Sequence, residues 1–317
     1  MKKYFEHMFY AYKTWHLFNF FWIIPPEWLI DVLNFFKRII FWKEKRFILE
    51  QKFHIKGSEL TFIIDSKYEH RIVWFFDYLK NIWEKYNKKK EIKILVWDFK
   101  TKYDKDFDIF LDLADETDLN KKFLNKKYIK RECLIKDLEK YKLISLPYLF
   151  SKNSYKTKEA QNNLKKRYYD RYYLSFGWQI KSKNDNRKKI VNELKNKLWN
   201  KFYNYWLSFE KHIETLNQSK YALNIFWVWE YCHRFTEIAL CDTLIASQKY
   251  HIYIPNNYTD MQNIVYFDDI DELIKKMKYL DENPKVYDDI KNRFKKHFNK
   301  YHSHEKWCEF LLKCIIE

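Results

Sequence analysis

The chain has 317 residues, enough for two domains with separate cores. It is 47% hydrophobic, 32% charged and 21% aromatic, a globular balance with an unusual aromatic load, and 60 basic against 43 acidic residues give a formal charge of +17. Only Gly57 and Gly177 are glycines, which excludes phosphate loops of the G-x-x-x-x-G-K-[ST] and G-x-G-x-x-G kinds.

The positive charge admits nucleic acid, an anionic membrane or a phosphorylated ligand as partner. The basic residues are spread along the chain without an arginine-rich tract, and abundant Lys, Asn, Ile, Phe and Tyr is also what an AT-rich coding sequence produces. Nucleic acid is therefore not the expected partner. Cys133, Cys232, Cys241, Cys308 and Cys314 are odd in number and form no C-x-x-C pair. Neither a disulfide framework nor a metal site is expected, and a reducing, cytoplasmic compartment fits. His302 and His304 flank Ser303 and read as the entry to a helix.

Residues 1–50 form an aromatic-rich, amphipathic N-terminal extension. Residues 18–24 are strongly apolar, but Pro25 and Pro26 interrupt the run before it reaches the length of a membrane span. There is no secretory signal pattern. Trp28, Leu29, Val32, Leu33, Phe35, Phe36, Ile39 and Ile40 make a helical stripe, followed by Lys37, Arg38, Lys43, Lys45 and Arg46. Such a stripe suits peripheral contact with a membrane interface through residues 15–46, or packing on the protein's own core.

From residue 59 the pattern becomes α/β. Residues 60–64 read as a strand, Asp65 and Ser66 as a cap, and Ile72, Phe75, Phe76, Leu79 and Trp83 as the inner side of a helix. Residues 92–97 and 107–111 read as further strands, and 128–131 and 143–146 as short ones. Strands alternating with helices imply a parallel sheet, whose ligands gather at the carboxyl ends of the strands. That rule points to Asp65, Glu69 and His70 after the first strand and to Asp112, Asp115, Glu116 and Asp118 after the third. His70, Asp115 and Glu116 are the candidates for a catalytic base on the acceptor side, although each type is equally suited to capping a helix.

Residues 151–158 are polar and read as a linker between an N-terminal Rossmann-like domain, residues 51–155, and a C-terminal one, residues 156–317. A helix around 160–168 precedes a strand at 172–176 that ends at Gly177. A long helix is expected from Arg187 to about residue 209, with Ile190, Leu194, Leu198 and Phe202 inward. Residues 221–225 form a buried strand, 231–240 a helix and 243–246 another strand. Arg234 and Glu237 stand three apart, so on a helix they share a face and reach one ligand together. A cation near a helix start suits a diphosphate, and a carboxylate one turn later suits ribose hydroxyls. Residues 251–254 and 264–267 suit strands, and three helices follow, the first capped by Asp268 or Asp269.

The segment Ser219, Lys220, Tyr221, Leu223, then Arg234 and Glu237, resembles the donor-binding half of GT-B glycosyltransferases, above all exostosin-like and spore-coat-type (family 1-like) enzymes. Those carry S-K-(Y/F)-x-L, a short loop, then R-x-x-E. The run Phe176-Gly177, a polar loop and Arg187 is similar to their first βα unit, and the C-terminal helices fit the same order. This chain departs from the pattern in Asp242, where glycine is usual, and in the aromatic loop 226–229. The resemblance implies two Rossmann-like domains facing across a cleft, and metal-independent transfer of a hexosyl or pentosyl group. The nucleotide-sugar donor would be a substrate rather than a cofactor, and the acceptor a glycan, lipid or protein. It assigns the diphosphate to Arg234, Arg187 and Lys220, the ribose to Glu237, and a close approach of the ligand to Gly177. An inactive GT-B-like or α/β protein binding single-stranded nucleic acid or another anionic ligand is the second reading.

Overall fold

The computed structural model describes residues 48–55, 57–82, 90–98, 100–114, 116–146, 172–177, 185–226, 231 and 233–317. The stripe at residues 15–46, the linker 151–158 and the expected helix at 160–168 lie outside these residues. Residues 48–317 belong to one compact unit.

Its first sheet has six strands in sequential order: β1 (Ile48–Ile55), β2 (Ser58–Asp65), β3 (Lys90–Trp97), β4 (Ile109–Asp112), β5 (Lys127–Lys130) and β6 (Ile144–Ser145). The strands from β2 to β6 run parallel, and β2, β3 and β4 carry the apolar runs Phe62-Ile63-Ile64, Ile94-Leu95-Val96 and Ile109-Phe110-Leu111, as expected where both faces are covered. β4 is buried at every residue. Helix α1 (Glu69–Asn81) brings Ile72, Phe75, Phe76 and Leu79 into this core, while α2 (Ile135–Tyr141) links β5 to β6. The predicted cap of α1 takes another form. Asp65 accepts the Lys67 N–H at 2.9 Å in a turn before the helix, whose first flanking residue is Tyr68.

β1 is an antiparallel edge strand that the hydrophobic pattern does not announce. Phe53 and Ile55 are its buried residues, and its middle is Glu50-Gln51-Lys52, the charged surface expected of an exposed edge. The hairpin to β2 turns at Gly57, whose φ of 74° is a conformation that suits glycine.

The second sheet is parallel throughout and contains β7 (Tyr172–Gly177), β8 (Phe202–Tyr205), β9 (Ser219–Asn224), β10 (Leu244–Gln248) and β11 (Val265–Phe267). In space the order is β8-β7-β9-β10-β11. The chain leaves β7 in one direction for β8 and returns to the other side for β9. The strand order therefore reverses between β7 and β9, and in open α/β sheets the ligand crevice lies at such a reversal, beyond the carboxyl ends of the strands.

One expected helix divides. From Arg187 the chain is helical only within α3 (Asp185–Leu198), then passes through Trp199 at a left-handed φ of 47° into edge strand β8. The aromatic run Phe202-Tyr203-Asn204-Tyr205 favours a strand, with Phe202 and Tyr205 buried. A separate helix, α4 (Phe209–Asn217), begins at Ser208, whose hydroxyl accepts the Lys211 N–H. The expected strand at 251–254 is also absent. Its Ile252 makes an isolated antiparallel bridge to Leu134.

Helix α5 (His233–Leu240) connects β9 to β10, and α6 (Ile270–Glu282), α7 (Pro284–His297) and α8 (His304–Ile316) close the chain. Asp269 caps α6 and Ser303 caps α8. α8 buries Trp307, Leu311, Leu312 and Ile315 in the core of the first sheet, beside Trp74 and Phe75 of α1. Fully burying a side chain of this size contributes about 1.5–3 kcal/mol, so the returning helix fastens the two sheets into one body.

Candidate functional site

The crevice is built first from backbone that has left the sheet. Past the end of β9, the carbonyls of Ile225 and Phe226 have no strand to pair with. Arg187, a buried residue in the first turn of α3, supplies the donors: its Nη2 reaches Ile225 O at 2.6 Å and its Nε reaches Phe226 O at 2.9 Å. On the other side the Gln248 side chain accepts the Phe226 N–H at 2.8 Å. The strand end is held by side chains because buried backbone polar groups must be satisfied.

On this frame sits α5. The Arg234 guanidinium stacks on the Phe176 ring, 4.6 Å from its centroid, and the Arg187 guanidinium lies 6.0 Å from the same ring. One turn on, Glu237 Oε2 lies 3.2 Å from His212 Nε2, and His212 Nδ1 lies 2.9 Å from the Tyr205 hydroxyl. Burial raises the Tyr205 pKa, with Arg234 nearby acting in the opposite sense, so the phenol stays protonated. The Glu237 carboxylate only accepts, so Nε2 carries the proton towards it, and in the neutral ring Nδ1 accepts from the phenol. Arg187, Arg234 and Glu237 are all buried, so the carboxylate and the guanidinium groups act in surroundings of reduced dielectric.

Gly177 closes the crevice floor at the end of β7. A β-carbon there would lie 2.6 Å from His212 Nδ1 and 2.7 Å from Tyr205 Cε2. The glycine thus admits the imidazole, and through it the partner of Glu237.

The structure brings Gly177, Arg187, Arg234 and Glu237 together. Lys220 stands at the other end of β9, where its Nζ pairs with Asp281 at 2.6 Å and lies 5.2 Å from the Tyr287 ring. It cannot share a diphosphate with Arg234 from there. Asp242, the departure from the usual glycine, pairs with Lys291 and Lys295 and takes no part in the crevice. Sequence reasoning missed Tyr205, which lies in the stretch read as one long helix, and His212, which lies just beyond it.

The carboxyl ends of the first sheet hold a different cluster. Asp112 accepts the Tyr128 hydroxyl at 2.6 Å, Lys130 Nζ at 3.1 Å and the Ala114 N–H at 3.0 Å, and is fully buried. Burial pushes its carboxyl above the ordinary range, against the pull of Lys130. Next to it, Arg131 lies 3.4 Å from Glu132 and donates to Tyr231 O at 3.2 Å, the residue that leads into α5. Of the catalytic-base candidates, Glu116 is exposed beyond β4, and Asp115 and the His70 side chain lie outside the described residues. Asp65 is fully buried, and Glu69 and Asp118 are exposed.

Among the described residues no helix is long and apolar enough to cross a membrane, and no three His, Cys, Asp or Glu side chains gather in a metal-binding group.

Residues 178–313, less than half of the chain, match the family model described as glycosyl transferase-like. No curated protein matches. Among solved structures the chain is similar to TarM, with a TM-score of 0.45 and 13% identity over 71% of this chain, and it spans only 55% of that one. A glycosyltransferase from Rickettsia africae shares a TM-score of 0.48 and 11% identity over 83% of this chain and 97% of its own. An α-glucosyltransferase solved with UDP-glucose and DNA containing an abasic site gives 0.41 and 10%, over 78% and 95%.

Proposed function

We propose, from the GT-B glycosyltransferase fold as premise, that the protein transfers a hexosyl or pentosyl group from a nucleotide-sugar donor to a glycan or glycolipid acceptor. The observation that carries this reading is the position of Arg234 and Glu237 on one face of α5, beside the reversal of strand order between β7 and β9. A fixed guanidinium there meets the growing charge of the leaving diphosphate, and the α5 amino end adds backbone N–H groups. Metal-independent transfer fits this design, because the positive charge is supplied by the protein.

In this reading Glu237 accepts hydrogen bonds from the ribose hydroxyls, and His212 sets the direction of its carboxylate. Arg187 is a positioning residue: its donors are engaged with the carbonyls of Ile225 and Phe226, so it shapes the crevice wall that the diphosphate would face. The similarity to exostosin-like enzymes, the two-domain boundary near residues 151–158, peripheral membrane contact through residues 15–46 and a cytoplasmic location belong to the same proposal. The acceptor-side base is placed among the strand ends of the first sheet, with Glu116, Asp115 and His70 as candidates.

Calorimetric titration of the full chain with UDP, GDP, UDP-glucose and GDP-mannose tests the donor assignment. Saturable binding of one nucleotide that Arg234→Ala and Glu237→Ala both weaken is the expected result. A nucleotide that binds wild type and both variants equally would remove the crevice from consideration.

A further inference from the structure

We infer that a second cavity, distant in sequence from the donor crevice, binds a phosphate group carried on an apolar or planar body. The cavity, of about 250 Å³, opens on the surface between the loop at Pro255 and Asn256, the turn after α7, and one face of α8. Lys300, Lys306 and Lys313 stand at its walls, against the single carboxylate of Glu309. Its floor is aromatic: Trp307, 2% exposed, with Tyr301 and Phe310 beside it.

The walls are held in place before any ligand arrives. α7 ends in a π-helical turn, Phe298–His302, a wide turn that is rare in proteins and concentrated at functional sites. Asn256 takes a left-handed φ of 52°, which directs its carbonyl at that turn. Both His297 Nε2, at 2.7 Å, and His302 Nε2, at 2.9 Å, meet this one oxygen. A carbonyl only accepts, so both imidazoles carry their proton on Nε2. The loop is thereby pinned to the end of α7, while Trp307 anchors α8 in the core of the first sheet. A cavity with such walls does not collapse, and preformed concave sites are the kind that bind small ligands.

The chemistry of the lining selects the ligand. Three ammonium groups against the carboxylates of Glu309 and Glu317 leave a net positive lining that favours an anion, and lysines supply compact charges suited to phosphate oxygens. Lys306 is shared with Glu309 at 2.8 Å and Lys313 lies 3.9 Å from Glu317, so a phosphate would displace exposed partners rather than buried ones. Lys300 lies 4.7 Å from the Tyr301 ring, which brings cation and aromatic surface together. The apolar floor receives the remainder of the molecule, whether an acyl chain or a planar ring. A phospholipid headgroup and a soluble phosphate ester share this chemistry.

The test uses the full-length protein and the variant K300Q/K306Q/K313Q. A control, K275Q/K278Q/K285Q, removes the same charge from exposed positions on α6 and α7. Binding of inorganic pyrophosphate is followed by calorimetry, and flotation is measured with vesicles of phosphatidylcholine containing phosphatidic acid. We expect the cavity variant to lose at least tenfold in one or both measurements while the control stays within twofold of wild type. Loss in the pyrophosphate arm alone identifies a soluble phosphate ester, and loss in the vesicle arm alone a lipid headgroup. The Arg234→Ala variant keeps the cavity's share of pyrophosphate binding, which separates this site from the donor crevice. Equal behaviour of cavity variant and wild type overturns the proposal, as does an equal loss in the control.

Discussion

The imidazole of His212 occupies the space where a β-carbon on Gly177 would stand, with Nδ1 2.6 Å from that position. One of only two glycines in the chain is therefore a steric requirement of the crevice, set by a residue 35 positions away in sequence. Gly177→Ala should push His212 off Glu237 and destabilise the fold by about 1–3 kcal/mol, the usual cost of overpacking. The double variant Gly177→Ala/His212→Ala should recover part of that loss, since the clash with the imidazole disappears while the one with Tyr205 Cε2, at 2.7 Å, stays. Urea unfolding of the two single variants and the double one measures this. Additive losses would mean that the two residues do not press on each other.

Arg187 carries a structural load that a lysine cannot take over. Its two donors reach neighbouring carbonyls, at 2.6 Å and 2.9 Å, in a fork that an ammonium group cannot reproduce. Arg187→Lys should lower stability by about 1.5–3 kcal/mol, the scale of hydrogen bonds to a charged group. The urea midpoint should fall with an unchanged slope. A shift worth less than about 0.5 kcal/mol, typical of a neutral surface change, would show that the strand end holds itself.

Much of this was legible in the sequence where one physical signal dominated. The buried strands β2, β3 and β9 show apolar runs, and α5 shows its spacing, so Arg234 and Glu237 could be placed on one helical face. What local pattern could not show was polarity along a strand. Lys220 sits beside Tyr221 in the motif, yet five residues of β-strand separate it from Ile225 by about 16 Å. Tyr205 was hidden because a helical spacing from Ile190 to Phe202 runs on past the point where Trp199 turns left-handed, and His212 falls just beyond that spacing, in a helix of its own that begins at Phe209. Edge strands β1 and β8 bury little, so hydrophobicity marks them weakly.

Acid should loosen the end of α7 through His302. Burial pushes this imidazole down to about 4, from an ordinary value of 6.5, because the charged form loses water and has His297 beside it. Between those two values the unfolded chain binds the proton and the folded one does not, so stability is full above pH 6.5 and falls as the pH drops towards 4. At about 1.4 kcal/mol per pKa unit the loss amounts to ~3 kcal/mol. His302→Gln keeps a donor for Asn256 O and cannot titrate. The difference in unfolding free energy between wild type and His302→Gln should therefore change by that amount between pH 7 and pH 4. A pH-independent difference would place the acid sensitivity elsewhere.

The donor crevice makes the sharpest forecast, because its charged residues divide the work. As a ribose ligand, the role proposed for it, Glu237 would touch the part of the donor that does not change during transfer, so Glu237→Ala should weaken nucleotide binding by about 1.5–3 kcal/mol and raise KM more than it lowers kcat. His212→Ala acts only through Glu237, so it should reproduce part of the same KM effect and add little to Glu237→Ala in the double variant. In the proposed reading Arg234 would face the diphosphate, whose charge grows as the sugar leaves, so Arg234→Ala should lower kcat as well as affinity. Arg234→Lys should restore only part of the rate, since it keeps the charge but loses both the planar fork and the stacking on Phe176. Steady-state kinetics of all five variants, with whichever nucleotide sugar binds in calorimetry, checks these forecasts. If Arg234→Ala changed KM alone, its guanidinium would be holding ground-state donor, and the leaving group would need another source of positive charge.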